Sequence, residues 1–380
     1  MTKVSQPATA DVSLYQFVRY FLWLGTVGFG GPIALAGHMQ QDLVEERGWV
    51  SRQDYIEGLA LAQLAPGPLA AQLAMYLGYV KAGVFGATVV GIAFVLPSFV
   101  MVLALSAAYV RFGGLKWMQE IFYGVGAAVI GIITRSTFKL TKLTLGSDKL
   151  LWGIFAVLAI STAWTSREII WLFLLSGVVA VVVKAFPVAP KPSPMSLLFI
   201  SSAMFASGGL LWELFFYFAK AGLFVFGSGL AVVPFLYGGV VQGHHWLTEH
   251  QFVDAVAVAM ITPGPVVITV AFIGYLVAGI KGAIVAALGM FVPVYVIVIA
   301  LAPSYKRWAK NPQLNAFVRG VTAAATGAIA GAVVVLGRRS LYDIPTAVIA
   351  VVSLVVLLRW KVPEPIVIAC AATVGLLRGH

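Results

Sequence analysis

Charged side chains are scarce in this chain of 380 residues, where Asp, Glu, Lys and Arg together account for 10%. Soluble domains carry about 25% charged residues. Apolar residues account for 61%, and the mean hydropathy of +0.96 leaves no room for a large soluble domain. The scarcity of charge therefore excludes an ordinary soluble fold and predicts an integral membrane protein.

Cysteine is nearly absent, since Cys370 is the only one in the chain. A single cysteine excludes an intrachain disulfide bond and a cysteine-based zinc site. The loop histidines share no established helix face, so we expect no metal site and no cofactor. The 25 Lys and Arg outnumber the 14 Asp and Glu. Because they are scattered between apolar runs, we expect no nucleic-acid binding.

Catalytic motifs are also missing. The sequence contains no Gly-x-Ser-x-Gly elbow, no His-Glu-x-x-His pair and no phosphate-binding loop, and we therefore predict no enzyme. The polar N-terminus, Met1 to Asp11, lacks the basic, apolar and small-residue succession of a cleavable signal peptide. We expect the first helix to insert directly and to remain.

The chain contains two copies of one unit. An offset of 197 residues places Trp49 on Trp246 and Pro66-Gly67-Pro68 on Pro263-Gly264-Pro265. After a one-residue slip the match continues through Gly78 and Gly274 as far as the C-terminal region. Similar composition alone does not hold Trp, Pro and Gly in register over this length. We therefore predict two homologous membrane repeats, at 14–186 and 213–378.

Each repeat contains six apolar segments, and a Pro/Lys linker with one extra apolar segment, at 195–211, lies between the repeats within 187–212. Most of the segments approach the roughly 20 residues of a spanning helix. We therefore predict an all-α fold of about thirteen transmembrane helices. An odd helix between six-helix units makes the repeats inverted, which is a recurrent plan of secondary transporters.

The distribution of basic residues gives an orientation. Six Lys and Arg of the first half fall on the side of the N-terminus, which we predict to be cytoplasmic. They are Arg135, Lys139, Lys142, Lys149, Lys184 and Lys191.

Proline and glycine interrupt corresponding apolar segments in the two repeats. Pro66-Gly67-Pro68 and Pro263-Gly264-Pro265 stop a helix, because proline removes an N–H donor and clashes with the preceding turn. Each break is predicted to be either a broken span or the tip of a re-entrant hairpin. Glycine clusters interrupt the first segment of each repeat, and close helix packing remains the alternative explanation for them. The clusters comprise Gly25, Gly28, Gly30, Gly31 and Pro32 in the first repeat, and Gly222, Gly227 and Gly229 with Pro234 in the second.

A few ionisable residues lie within the apolar runs. Arg19 and Lys220 each precede a glycine break and are predicted either to bind an anion or to extend to the membrane interface. Glu57 and Asp254 occupy equivalent positions nine residues before the Pro-Gly-Pro sequences. They are candidates for proton coupling, with the aqueous end of a helix as the alternative.

These residues together form a predicted anion site between the repeats. Broken helices expose N–H groups that favour an anion, and the two cations and nearby polar side chains add to them. The predicted substrate-binding residues are Arg19, Gly28, Gly30, Gly31, Gln63, Pro66, Gly67, Pro68, Gln72, Lys220, Gly227, Gly229, Thr262, Pro263, Gly264 and Pro265.

Several long motifs resemble the chromate ion transporter family over essentially the whole chain. They are Gly28-Phe29-Gly30-Gly31-Pro32, the stretch from Ala62 to Pro68, the stretch from Gln72 to Tyr79, and Phe94-Val95-Leu96-Pro97-Ser98-Phe99, with weaker copies in the second half. The second half departs from the pattern at Met260, where a glutamine is expected, and at Val292-Pro293-Val294-Tyr295.

The resemblance implies a secondary transporter in the bacterial inner membrane that exports chromate and confers chromate resistance, with sulfate as a similar dianion. It leaves open a channel, a carrier of another small anion and a homodimer. A membrane enzyme or receptor-like binding protein, which would show no solute flux, is the contrasting function class.

Overall fold

The computed structural model describes residues 12–29, 31–113, 115–165, 170–185, 209–224, 232–304, 311–341, 343–360 and 362–378. All regular structure in these ranges is helical. Three predicted site residues, Gly30, Gly227 and Gly229, lie outside the described residues, and so does most of the predicted extra helix at 195–211.

The described part of the first half contains seven helices. Their bounds are α1 (Leu14–Val27), α2 (Gly31–Met39, continued by a π-helical turn at Gln40–Glu46), α3 (Arg52–Leu64), α4 (Leu69–Phe112), α5 (Lys116–Leu145), α6 (Lys149–Thr165) and α7 (Ile170–Lys184).

The described part of the second half repeats this order. Its helices are α8 (Leu210–Phe224), α9 (Val232–Leu236, continued by a π-helical turn at Tyr237–Gly243), α10 (Glu249–Ile261), α11 (Thr269–Leu301, preceded by a 3₁₀ turn at Val266–Ile268 and followed by one at Ala302–Ser304), α12 (Pro312–Ser340), α13 (Ile344–Arg359) and α14 (Glu364–Arg378). Side-chain caps start equivalent helices at Ser51 and Thr248, where each hydroxyl accepts a backbone N–H.

Helix α4 is a helical hairpin. Its 44 residues would extend about 66 Å as one straight helix, which is more than twice the roughly 30 Å of the bilayer core. The chain reverses at Ala82 and Gly83, where Gly83 has φ of 58°. The two arms approach so closely that a Cβ on Gly78 would lie 2.5 Å from the carbonyl oxygen of Gly86. Helix α11 reverses in the same way at Ala278 and Gly279.

The segments around the predicted breaks also fold back. Gly58 of α3 packs against Tyr76, which lies on the other side of the Pro-Gly-Pro, so this break is the tip of a hairpin and not a kink in a straight span. In the first segment, the hydroxyl of Tyr20 in α1 donates to Asp42 Oδ2 after α2 at 2.9 Å. Thirteen crossings are not confirmed, because segments 14–37 and 56–80 were each counted as one crossing.

Four described helices are long and apolar enough to cross a membrane, namely Leu69–Phe112, Lys116–Leu145, Val266–Leu301 and Pro312–Arg338. Helices α6 and α13 are shorter apolar helices. The halves interlock, since Gly327 in α12 lies against the backbone of Phe155 in α6 and Gly124 in α5 lies against that of Ala371 in α14. Glycine permits this close backbone approach between helices in a membrane.

Candidate functional site

The hairpin tips of the two repeats meet in the interior. The backbone N–H of Gly264, in the second Pro-Gly-Pro, donates to the carbonyl oxygen of Gly28 at 2.8 Å. Gly28 ends α1 in the first repeat and is buried. This hydrogen bond joins two of the breaks that the sequence predicts to form the site.

Each Pro-Gly-Pro tip also packs against the long second arm of the other repeat's helical hairpin. A Cβ on Gly264 would overlap the hydroxyl of Ser98 in α4, and a Cβ on Gly67 would lie 2.7 Å from Val294 Cγ1 in α11. Ser98 and Val294 are equivalent at the 196-residue offset. Each tip therefore packs against the other repeat, and the two contacts are related by the pseudo-symmetry of the repeats.

The tips leave helix N-termini in the interior. Helix α4 begins at Leu69 after Pro68, which supplies no side-chain cap. The first residues, Leu69, Ala70 and Ala71, are buried. The first N–H groups of a helix have no partner within it, and their dipoles favour a negative charge. This end of α4 is thus suited to an anion.

The polar side chains at the tips differ in their roles. Gln72 is fully buried, and its Nε2 donates to the Pro66 carbonyl oxygen at 2.7 Å. Its Oε1 is buried without a partner among the described residues. The Thr262 hydroxyl donates to Val258 in its own helix, whereas Gln63 is exposed. Gln72 is therefore the polar side chain most closely tied to a tip.

The predicted cations do not lie at the tips. Arg19 lies nine positions before Gly28, in a groove at the open end of the α1–α2 hairpin. Lys220 is an exposed residue of α8. Neither forms an ion pair among the described residues. The structure therefore separates the cations from the contacts between the tips.

The two predicted acids have different surroundings. Asp254 is 1% exposed, and its Oδ2 accepts from the Tyr109 hydroxyl at 2.7 Å and lies 3.0 Å from His250 Nδ1. Its Oδ1 is buried without a partner among the described residues. Glu57 is half-buried and accepts from Gln53 at 2.8 Å. The Tyr109 hydroxyl thus holds Asp254 across the interface between the halves.

Sequence reasoning missed three residues. Ser98 follows a helix-interior proline. The available signal was its position in the repeat alignment, where it is equivalent to Val294. Tyr109 lies 145 positions from Asp254, and the sequence gives no sign of that contact. Arg47 precedes Trp49, a repeat-aligned residue, but its proximity to Arg19 depends on the hairpin fold.

Two related sets of apolar helices, with interrupted hairpins at corresponding positions and tips that meet between the halves, define a polytopic membrane protein of the transporter class. The sequence profile of the chromate transporter family matches residues 15–181 and 212–376. The chain therefore belongs to the chromate transporter family.

Relatives extend over nearly the full chain. Identity is 60% over 374 residues with the chromate transport protein of Cupriavidus metallidurans, covering 96% of this chain and 93% of that protein. It is 56% over 381 residues with the probable chromate transport protein of Synechococcus elongatus, covering 96% and 95%. It is 29% over 375 residues with the chromate transport protein of Pseudomonas aeruginosa, covering 92% and 88%. No solved structure matches the chain.

Proposed function

We propose that this protein is a secondary transporter that exports chromate across the bacterial inner membrane and so confers chromate resistance. The observation that carries the proposal is the hydrogen-bonded meeting of Gly28 and Gly264 between the repeats, in a chain 60% identical to a chromate transport protein. Expression in a chromate-sensitive bacterium tests it. Resistance with lowered cell chromate is expected, and unchanged cell chromate would contradict export.

We propose two inverted membrane repeats, at 14–186 and 213–378, joined by a linker and an extra crossing within 187–212. The second arm of α4 begins at Gly83, which lies at the end of the α3–α4 hairpin away from its tip. It then runs past Ser98 to Tyr109. Tyr109 lies about 16 Å beyond Ser98 and bonds to Asp254, which lies about 15 Å before the Gly264 tip. Helix α10 thus approaches the tips from the side opposite α3, which supports inversion.

The proposed topology has nine crossings and four re-entrant hairpins. The crossings are the second arms of α4 and α11, helices α5, α6, α7, α12, α13 and α14, and the segment at 195–211. Most of the 25 Lys and Arg then lie on the side of the N-terminus, which supports a cytoplasmic N-terminus. The exceptions are Arg111, Lys116, Arg167, Lys220, Lys281, Arg338, Arg339 and Arg378.

Cysteine labelling distinguishes nine crossings from thirteen. In a Cys370→Ser background, Arg52→Cys should resist an impermeant thiol reagent in intact cells and react in inverted vesicles. His245→Cys should react in intact cells. Both positions are exposed. A topology of thirteen crossings would place Arg52 outside and His245 in the cytoplasm. The opposite labelling pattern would contradict the nine-crossing topology.

We propose that chromate, or a similar dianion such as sulfate, binds at the tips. The proposed site comprises the glycines and Pro-Gly-Pro residues of both repeats, with Gln63, Gln72 and Thr262. An isolated ion in a low-dielectric interior costs tens of kcal/mol in the Born limit, and a helix terminus supplies only about half a charge. A full cation is therefore needed along the path of the anion, and Lys220 and Arg19, which lie away from the tips, are the proposed sources.

Lys220 gives a direct test of the cation requirement. Lys220→Gln should lose chromate binding because it removes a full charge, while Lys220→Arg should keep part of it. The measurement is chromate titration of the purified protein, with a thermal unfolding curve as the folding control. If Lys220→Gln binds as tightly as the parent, Lys220 is an interfacial residue and does not belong to the site.

We propose that Asp254 carries the coupling proton, with Glu57 as its counterpart in the first repeat. Asp254 lines a 210 Å³ pocket, and its buried Oδ1 has no partner among the described residues. Other titratable groups around this pocket are engaged, since Tyr237 donates to Glu249 and Tyr123 donates to Asp343. Arg378 also pairs with Asp343, at 3.1 Å. Asp254 is the carboxylate left with free accepting capacity.

A further inference from the structure

A groove opens at the base of the α1–α2 hairpin, away from the tips. Its volume is 390 Å³, and it is lined by Gln16, Arg19, Tyr20, Trp23, Arg47 and Trp49. The residues come from α1 and from the turn before α3, which the fold brings side by side. In the proposed topology this groove lies at the cytoplasmic mouth of the protein.

The groove has two guanidinium groups, and the carboxylates of Asp42 and Glu46 lie near them. Arg47 stacks over Trp49 at 4.7 Å and over Tyr20 at 5.5 Å, and stacking on a ring face leaves its N–H edges available to an anion. The nearby acids have other partners, since Asp42 accepts from Tyr20 and Glu46 accepts from Gln41. Neither arginine forms an ion pair among the described residues.

The second repeat has the same aromatic scaffold with different charged groups. Tyr217 and Trp246 occupy the places of Tyr20 and Trp49 at the 197-residue offset. Their rings are 5.4 Å apart, and the ring of His244 stacks on Trp246 at 4.3 Å.

His244 stands where the first repeat has Arg47. Its Nδ1 lies 2.8 Å from the carboxylate of Glu213, which replaces Gln16. Phe216 replaces Arg19. The end of the second repeat that corresponds to the groove therefore has a carboxylate and a histidine where the groove has Gln16 and Arg47, and its cation, Lys220, stands at the place of Trp23.

We propose that the Arg19–Arg47 groove is the site that captures a tetrahedral oxyanion of chromate or sulfate type before it reaches the hairpin tips. Bidentate N–H donation from guanidinium groups suits the oxygens of such an anion. At the corresponding end of the second repeat, the Glu213 carboxylate repels a dianion and weakens capture from that side. This inference rests on the proposed export function and adds to it a capture site.

The test is the kinetics of chromate uptake into inverted vesicles, where the groove faces the medium. Arg19→Gln with Arg47→Gln should raise KM about tenfold or more, because cationic clefts increase association rates by 10- to 1,000-fold. The maximal rate should stay within about twofold, because capture precedes translocation. Added salt should raise the parent's KM and change that of the double variant little.

Two controls make the result specific. Arg52→Gln removes an exposed cation just after the groove segment and should leave KM unchanged. Lysine at positions 19 and 47 should keep most of the capture, because the charges remain. An unchanged KM in the glutamine variant would overturn the capture site. A lower maximal rate with unchanged KM would also overturn it, because it would show that the arginines support the fold instead.

The region around Glu213 and His244 in the second repeat allows the same experiment from the other side of the membrane. Glu213→Gln with His244→Arg should lower KM for chromate entering from that side in right-side-out vesicles. An unchanged KM there would overturn the proposed weaker capture from that side.

A binding measurement separates this inference from the proposed function. Chromate binding to the purified protein, measured by equilibrium dialysis, should depend on salt and weaken in the Arg19→Gln/Arg47→Gln variant. If the parent transports no chromate but its binding weakens in this variant, the export function fails and the capture site stands. If transport is normal and binding and KM are unaffected, the capture site fails and the export function stands.

Discussion

Gly264→Ala is expected to reduce chromate flux at least about tenfold, which corresponds to about 1.4 kcal/mol. Gly264 has φ of 96°, and a residue with a Cβ loses about 1–2 kcal/mol in left-handed backbone. The new methyl group would also overlap the Ser98 hydroxyl and displace the tip from Gly28. The measurement is the initial rate of chromate uptake into inverted vesicles, normalised to protein abundance.

Gly279→Ala is the matched control for this substitution. Gly279 also has positive φ, 61°, but a Cβ there meets nothing within 4 Å. It should cost stability and retain flux. Ser98→Gly added to Gly264→Ala should restore part of the flux, because it removes the overlap and leaves only the backbone strain. Normal flux in Gly264→Ala would show that transport does not depend on the junction of the tips.

Asp254→Asn is expected to abolish the acceleration of chromate flux by a proton gradient. The amide keeps the shape of the side chain and an oxygen that can accept from Tyr109, but it cannot take up a proton. Flux with the gradient should therefore fall to the level measured without it. The measurement is chromate uptake into vesicles with the gradient imposed and with the gradient collapsed by a protonophore.

Glu57→Gln serves as the comparison, because Glu57 is half-buried and already accepts from Gln53. Its variant should keep most of the response to the gradient. Tyr109→Phe removes the hydroxyl but leaves the carboxyl group, so it should weaken the response without abolishing it. A full response in Asp254→Asn would remove Asp254 from the coupling mechanism.

The helical class and the sites of the breaks were readable from the sequence, because they depend on local chemistry. Proline removes a backbone donor wherever it stands in a helix, so Pro66 and Pro263 had to interrupt their segments. The spacing of Gly327 and Gly331 is typical of a close helix contact, and Gly331 lies against the backbone of Ala159 in α6. Family membership was also predicted from the motifs, and the family comparison confirms it.

The path of the chain after each break was not readable in the same way. A broken span and a re-entrant hairpin require the same residues, and only the contact of Gly58 with Tyr76 distinguishes them. The position of the reversal at Gly83 was predicted, because one apolar segment ends at residue 80 and the next begins at residue 82. The close approach of Gly78 to Gly86 is evident only from the structure.

The candidate site was predicted in part. Gly28, Gly67 and Gly264 were identified by their backbone chemistry, and the structure places all three in contacts between the repeats. The positions of the cations could not be derived, because an arginine in an apolar run faces either the interior or the surface at the same sequence spacing. Arg19 lies beside Arg47 only because the α1–α2 hairpin folds back.

The central claim, that this chain exports chromate, is tested most directly by chromate uptake into inverted membrane vesicles that contain the protein. The account predicts saturable accumulation, competition by sulfate, faster uptake with an imposed proton gradient, and no accumulation in vesicles from cells without the protein. Chromate uptake equal in the two kinds of vesicles, with the protein present and folded, would contradict it.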